Sequence, residues 1–181
     1  MKLKSKIAFF ILVCLNQTYS QKGYDVERKA ISIKEFKSLK VYSGLEVRLI
    51  PSNKNIVYVY GDNIDKVLIN LKRETLKVKL PVEKVFNSGY NFIEIFFTKK
   101  IEFISTHQGA IISSKKTIKS DQFYIKAKEG SRISIKVISK KINANVSSGA
   151  KINFKHSKLP SKRNLKGKYV LLEPLKISKH S

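Results

Sequence analysis

The chain has 181 residues, with 37 Lys or Arg against 13 Asp or Glu, a formal net charge of +24. That length holds one domain with a real core, and the charge points to an acidic partner such as nucleic acid, an anionic polysaccharide or a lipid headgroup surface. The cations are mostly Lys; Arg is confined to Arg28, Arg48, Arg73, Arg132 and Arg163, which weighs against specific nucleic-acid readout, since base readers favour the planar guanidinium fork.

The chain opens on the three parts of an export signal. Lys2, Lys4 and Lys6 form a basic n-region, Ile7 to Leu15 an apolar h-region, and Asn16 to Ser20 a polar c-region, so residues 1–20 read as a signal peptide cleaved after Ser20. The apolar run is shorter than the ~20 residues that span a bilayer, and no transmembrane span is expected in the mature chain. Cys14, the only cysteine, would leave with the signal. A lipoprotein signal would retain Cys14 as an acylated first residue, but Val13 is not the small residue such processing favours. The mature chain then has no disulfide and no thiol nucleophile.

Residues 21–30 read as a polar lead-in. Beyond them the apolar residues recur with period two: Leu45, Val47 and Leu49 alternate with Glu46 and Arg48, and Leu76, Val78 and Leu80 with Lys77 and Lys79. This is the mark of half-buried strands. Pro51-Ser52-Asn53 and Gly61-Asp62-Asn63 are turn chemistry. The spacing of Ile64, Val67 and Leu68 predicts one short helical turn, and the dense run Phe92 to Phe97 predicts a strand buried on both faces.

From 101 to 160 the chain repeats. Gly109, Gly130 and Gly149 bring their surroundings into register. Three residues after each glycine come Ile112, Ile133 and Ile152; five after come Ser114, Ile135 and Phe154. Five before come Ile104, Ile125 and Ala144; three before come Thr106, Ala127 and Val146. Each unit is strand, glycine corner, strand, with an inward set of small or apolar residues. A period near twenty of this kind predicts an all-β fold in which an N-terminal strand assembly continues into a short right-handed single-stranded β-helix, or solenoid. Antiparallel hairpins in a sandwich are the competing reading. In the remainder, Ser161 to Asn164 reads as a polar break, Lys168 to Leu172 as a last strand and 177–181 as frayed, so 161–181 is expected to be a basic cap or tail.

The segment Val41-Tyr42-Ser43-Gly44-Leu45-Glu46-Val47, the runs Val57 to Asp62 and Leu76 to Leu80, and the unit Val146-Ser147-Ser148-Gly149-Ala150-Lys151-Ile152 together resemble the putative auto-transporter adhesin, head GIN domain family. The likeness covers roughly residues 30–160. It implies a β-helical domain over 31–160, export into a Gram-negative envelope and an adhesin-like role. Gln108-Gly109-Ala110 and Glu129-Gly130-Ser131 depart from the family's Ser-Gly-Ala corner, which Ser148-Gly149-Ala150 keeps.

Catalytic patterns are missing from the sequence: there is no Gly-x-Ser-x-Gly, Walker, Rossmann or His-Glu-x-x-His motif. His107, His156 and His180 stand far apart, and the acids of the repeats, Glu102, Asp121 and Glu129, occupy different repeat positions. Neither a metal site nor the paired carboxylates of a glycosidase is expected, and no cofactor. Six residues after each glycine, however, stand Lys115, Lys136 and Lys155, while Arg132 and Lys151 match each other two residues after theirs. In a regular stack these form outward basic columns, either a site for a polyanion or a solvated surface that keeps strands apart.

The expected function is therefore non-enzymatic binding at the periplasm, outer-membrane surface or outside the cell, with an anionic envelope polysaccharide or an envelope protein as partner. An envelope scaffold engaging a protein through its solenoid edge is the alternative, and a polysaccharide-active enzyme the least favoured.

Overall fold

The computed structural model describes residues 28–81, 83, 89–156 and 162–174. The expected signal peptide, Cys14, His180 and the frayed end lie outside the described residues. The protein is all-β. Its strands are β1 (Arg28–Ser32), β2 (Ser38–Val41), β3 (Glu46–Pro51), β4 (Ile56–Gly61), β5 (Leu68–Lys72), β6 (Thr75–Lys79) and β7 (Asn91–Phe97), followed by β8 (Phe103–Thr106), β9 (Ile111–Ser114), β10 (Ile118–Ala127), β11 (Arg132–Val146), β12 (Lys151–His156), β13 (Lys162–Lys166) and β14 (Val170–Pro174).

Hydrogen bonding arranges these strands in two faces. Face A has the order β1-β4-β7-β3-β9-β11-β12-β14, and face B the order β5-β6-β2-β8-β10-β11-β13. The long β11 joins the faces into one curled sheet: Arg132 to Lys136 pair with β12 on face A, and Val137 to Val146 with β10 on face B. Each layer of the repeats is thus a face-B strand, a corner and a face-A strand. Between residues 103 and 156 every described pairing is parallel, so the antiparallel hairpins of the competing reading are excluded there. Antiparallel pairs are confined to β1–β4, β4–β7 and β5–β6.

The register follows the glycine alignment. Ile133 faces Ile112 on one side and Ile152 on the other, Ile135 faces Phe154, and Ile125 faces Ile104 and Ala144. All of these side chains are buried. One layer cannot bury them alone; stacking removes each from water at about 1.5–3 kcal/mol per large side chain. The inward row continues into the N-terminal part through Val47, Ile93 and Val59, giving one continuous core.

One local expectation is met and two are corrected. The short helical turn is a 3-10 turn at Ile64–Lys66, and the chain is already extended again at Leu68. Strand β7 is not buried on both faces: Asn91, Ile93, Ile95 and Phe97 point inward, while Phe92, Glu94 and Phe96 lie half-buried on the outside. The dense apolar run arises because aromatic residues fill the outward positions. Finally, of the expected polar break, Lys162, Arg163 and Asn164 lie in β13, whose exposed side chains leave the backbone free to pair with β11, while Ser161 lies outside the described residues; backbone pairing overrides composition at an edge.

Candidate binding surface

The corners fix how outward side chains line up. Gln108-Gly109, Glu129-Gly130 and Ser148-Gly149 all have positive φ at both positions, at 55° and 71°, 57° and 68°, and 53° and 72°. Each is closed by a bond from the following N–H to the carbonyl before the pair, for example Ala110 N to His107 O at 3.1 Å. These are type I′ turns, which need left-handed backbone twice. Ser43-Gly44 makes a fourth, with φ of 62° and 65°. The corners also bond to one another: Gly44 N to Gln108 O at 2.8 Å, Gly109 N to Glu129 O at 2.8 Å and Gly130 N to Ser148 O at 2.9 Å.

Ser131 replaces the corner alanine without leaving its hydroxyl unpaired. It meets Thr106 Oγ1 at 2.8 Å and donates to Thr106 O at 3.2 Å, while Lys128 N donates to Ser131 Oγ at 3.1 Å.

On the outside of face A, Arg132 stands beside Lys151 and Lys136 beside Lys155, each pair in direct parallel register. Neighbouring strands are ~4.8 Å apart, so like charges are held close and repel unless an anion or water separates them. Lys115 is exposed in the bend after β9, next to the point where Lys136 N donates to Ser114 Oγ at 2.9 Å. The second column ends on Glu173, the register partner of Lys155, and Lys151 ends over the Tyr169 ring at 5.5 Å.

The same face carries a second feature at its N-terminal end. Tyr58 and Tyr60 from β4 and Phe92 and Phe96 from β7 form a chain of rings: Tyr58 meets Phe96 edge-on at 5.5 Å, Tyr60 meets Phe92 at 5.9 Å, and the two tyrosines are 6.5 Å apart. Tyr90, 65% exposed, lies parallel to Phe92 at 6.5 Å. In the midst of the rings, Glu94 accepts from Arg48 at 3.1 Å and from Tyr60 at 3.2 Å, so each carboxylate oxygen has a donor. Arg48 lies 4.6 Å over Phe92, and Arg28 4.8 Å over Tyr58. This platform was missed in the sequence, although the alternation in Ile56-Val57-Tyr58-Val59-Tyr60 carries its signal.

Two further places have functional chemistry. At the Gly109 corner, Ser105 Oγ lies 2.8 Å from His107 Nε2, and His107 Nδ1 lies 3.9 Å from Glu129. The order mimics a nucleophile relay, but Ser105 is only 2% exposed and the His–Glu distance is beyond a hydrogen bond. The group braces the corner. The His107 side chain is only 22% exposed and stacks on Tyr42 at 5.0 Å. Burial, and then the charge of Glu129, raises the Tyr42 hydroxyl above its ordinary value. On face B, Tyr124, Lys126, Asn143, Asn145, Asn164 and Lys166 line a shallow groove of about 240 Å³, with the buried Asn143 Nδ2 lacking a partner.

Among the described residues no group of three His, Cys, Asp or Glu could hold a metal ion, and no helix is long and apolar enough to cross a membrane.

Residues 35–158 match the family described as putative auto-transporter adhesin, head GIN domain. A putative adhesin from Parabacteroides merdae has a similar fold, with TM-score 0.62 and 17% identity, covering 74% of this chain and 59% of its own. Another putative adhesin, from Parabacteroides distasonis, gives 0.60 and 18%, covering 78% and 65%. A putative lipid binding protein from the same organism gives 0.51 and 12%, covering 83% and 97%. The chain therefore spans less than two thirds of the length of the two adhesin structures. No curated protein matches it.

Proposed function

The chain belongs to the putative auto-transporter adhesin, head GIN domain family, and from that premise we propose that it is an exported, non-enzymatic, adhesin-like binding protein of the bacterial envelope. In this reading an N-terminal strand assembly continues into a short right-handed solenoid within a domain over 31–160, 161–181 is its basic cap or tail, and the leader 1–20 directs export. The partner is a polyanion, of which an acidic envelope polysaccharide is the favoured kind. The observation that carries this reading is the matched register of Arg132 with Lys151 and Lys136 with Lys155 on one outward face. A fold that repeats its backbone every layer places cations at a spacing a linear polyanion can follow, and displacing counterions from such an array favours binding.

Charge reversal tests the reading. Lys115→Glu, Lys136→Glu and Lys155→Glu together are expected to shorten retention on an immobilised acidic glycan and flatten its dependence on salt. These side chains point outward, so the thermal transition should hardly move. Retention equal to that of the parent at every salt concentration, both in this variant and in one that adds Arg132→Glu and Lys151→Glu, would overturn the columns as the site.

A further inference from the structure

We propose that the aromatic platform at the N-terminal end of face A is a sugar-stacking subsite, and that it and the basic columns together bind one acidic glycan laid across the strands. The inference rests on the polyanion reading and deepens it by naming the ring-bearing class of ligand.

Register carries the argument. One outward row runs from Tyr60 through Phe92, Glu46 and Ile111 to Arg132 and Lys151, each residue the partner of the next. Rings and cations thus occupy the same row, separated by three strand steps of ~4.8 Å. A sugar residue in an extended glycan is of similar length to one step. A chain crossing the strands can therefore put one end on the rings and its carboxylates on the cations.

The chemistry of the platform fits a sugar better than a bare anion. Pyranose C–H groups carry partial positive charge and pack against the negative face of an aromatic ring, while hydroxyls reach polar groups at the rim. The platform offers both, with the Tyr60 hydroxyl and the Arg48–Glu94 pair set among the rings. Those groups are already bonded to one another, with side chains 30% and 18% exposed for Arg48 and Glu94, so little ordering remains to be done on binding. A second copy of this chain is a poor occupant, since each copy carries the same large net positive charge.

The test uses two anions, polygalacturonate with rings and polyphosphate without, titrated into the protein at fixed ionic strength. Tyr90→Ala removes an exposed ring without touching the core, and Tyr58→Leu with Tyr60→Leu keeps apolar bulk while removing aromatic faces. The expected result is polygalacturonate binding about tenfold weaker in the leucine pair, with a smaller loss in Tyr90→Ala, and polyphosphate binding unchanged in both. Unaltered polygalacturonate binding in all ring variants would overturn the stacking subsite while leaving the polyanion reading standing. Failure of the parent protein to bind either polymer would overturn the polyanion reading itself.

Discussion

The two ends of face A share an inside and differ on the outside. Val59, Ile93, Val47, Ile112, Ile133 and Ile152 form one buried row from end to end. The outward row beside it changes from Tyr58, Glu94 and Arg48 at the N-terminal end to Ser113, Ser134 and Asn153 in the repeats. Inward positions answer to packing, which wants the same β-branched shape in every layer. Outward positions are free to vary, and ligand chemistry can be written there without disturbing the stack.

The largest expected effect tests whether the shared inside makes one cooperative unit. Ile93→Ala and Ile133→Ala each delete most of a buried side chain and should lose about 2–5 kcal/mol. If the core is continuous, both lower the midpoint of a single denaturant transition by similar amounts. Stacked layers can also unfold in parts. Two transitions, with each substitution moving only one, would divide the molecule into separate ends.

How much of this was legible in the sequence follows the same division. The inward rows of 101–160 were readable because a glycine corner resets the phase every layer, so period two could be summed over three units. The corner at Ser43-Gly44 escaped alignment because β4 to β7 intervene before the chain returns at β8 to stack on β2. The outward rings of β7 carry the sequence signal of a core, since Phe on a strand is equally apolar whether it faces in or out. Only the pairing of Phe92 with Tyr60 and Glu46 reveals which. Placing Lys136 beside Lys155 needed nothing but the repeat, whereas bringing Tyr58 and Tyr60 against β7 depends on an antiparallel pairing that no local pattern specifies.

Glycine substitutions sharpen the contrast at intermediate size. A methyl group added at Gly130 meets no atom within 4 Å, so Gly130→Ala carries only the backbone penalty of φ +68°. That penalty, less the entropy the alanine removes from the unfolded chain, comes to about 1 kcal/mol. Gly61, at φ +110°, would drive its methyl into the Tyr90 carbonyl, which is backbone and cannot swing away. Gly61→Ala should therefore destabilise clearly more than Gly130→Ala in urea titrations, and equal losses would show that the approach of β4 to residues 90–91 is looser than the geometry implies.

The smallest effect concerns charge, and it distinguishes the ends by residue. Asp65 at the N-terminal end is held below the ordinary carboxylate range by its hydrogen bond and then its attraction to Lys29; Asp121 in the repeats is lowered first by its hydrogen bond to Lys100, then by the charges of Lys100 and Lys140. A carboxyl whose value is lowered on folding favours the fold above the unfolded value, and the contribution vanishes as pH falls through the folded one. Both pairs are exposed, so screening makes each effect small. Melting curves from neutral pH downward should show a shallow loss that begins only as the ordinary carboxylate range is entered. Asp121→Asn should remove the part of that slope due to the repeats, leaving to the N-terminal end the part due to Asp65 and to Glu35, which its hydrogen bond to Lys99 also lowers, and added salt should flatten what remains. An unchanged slope in Asp121→Asn would mean that the ion pairs of the repeats are too mobile in water to bias folding, leaving burial and the corner bonds to hold that end together.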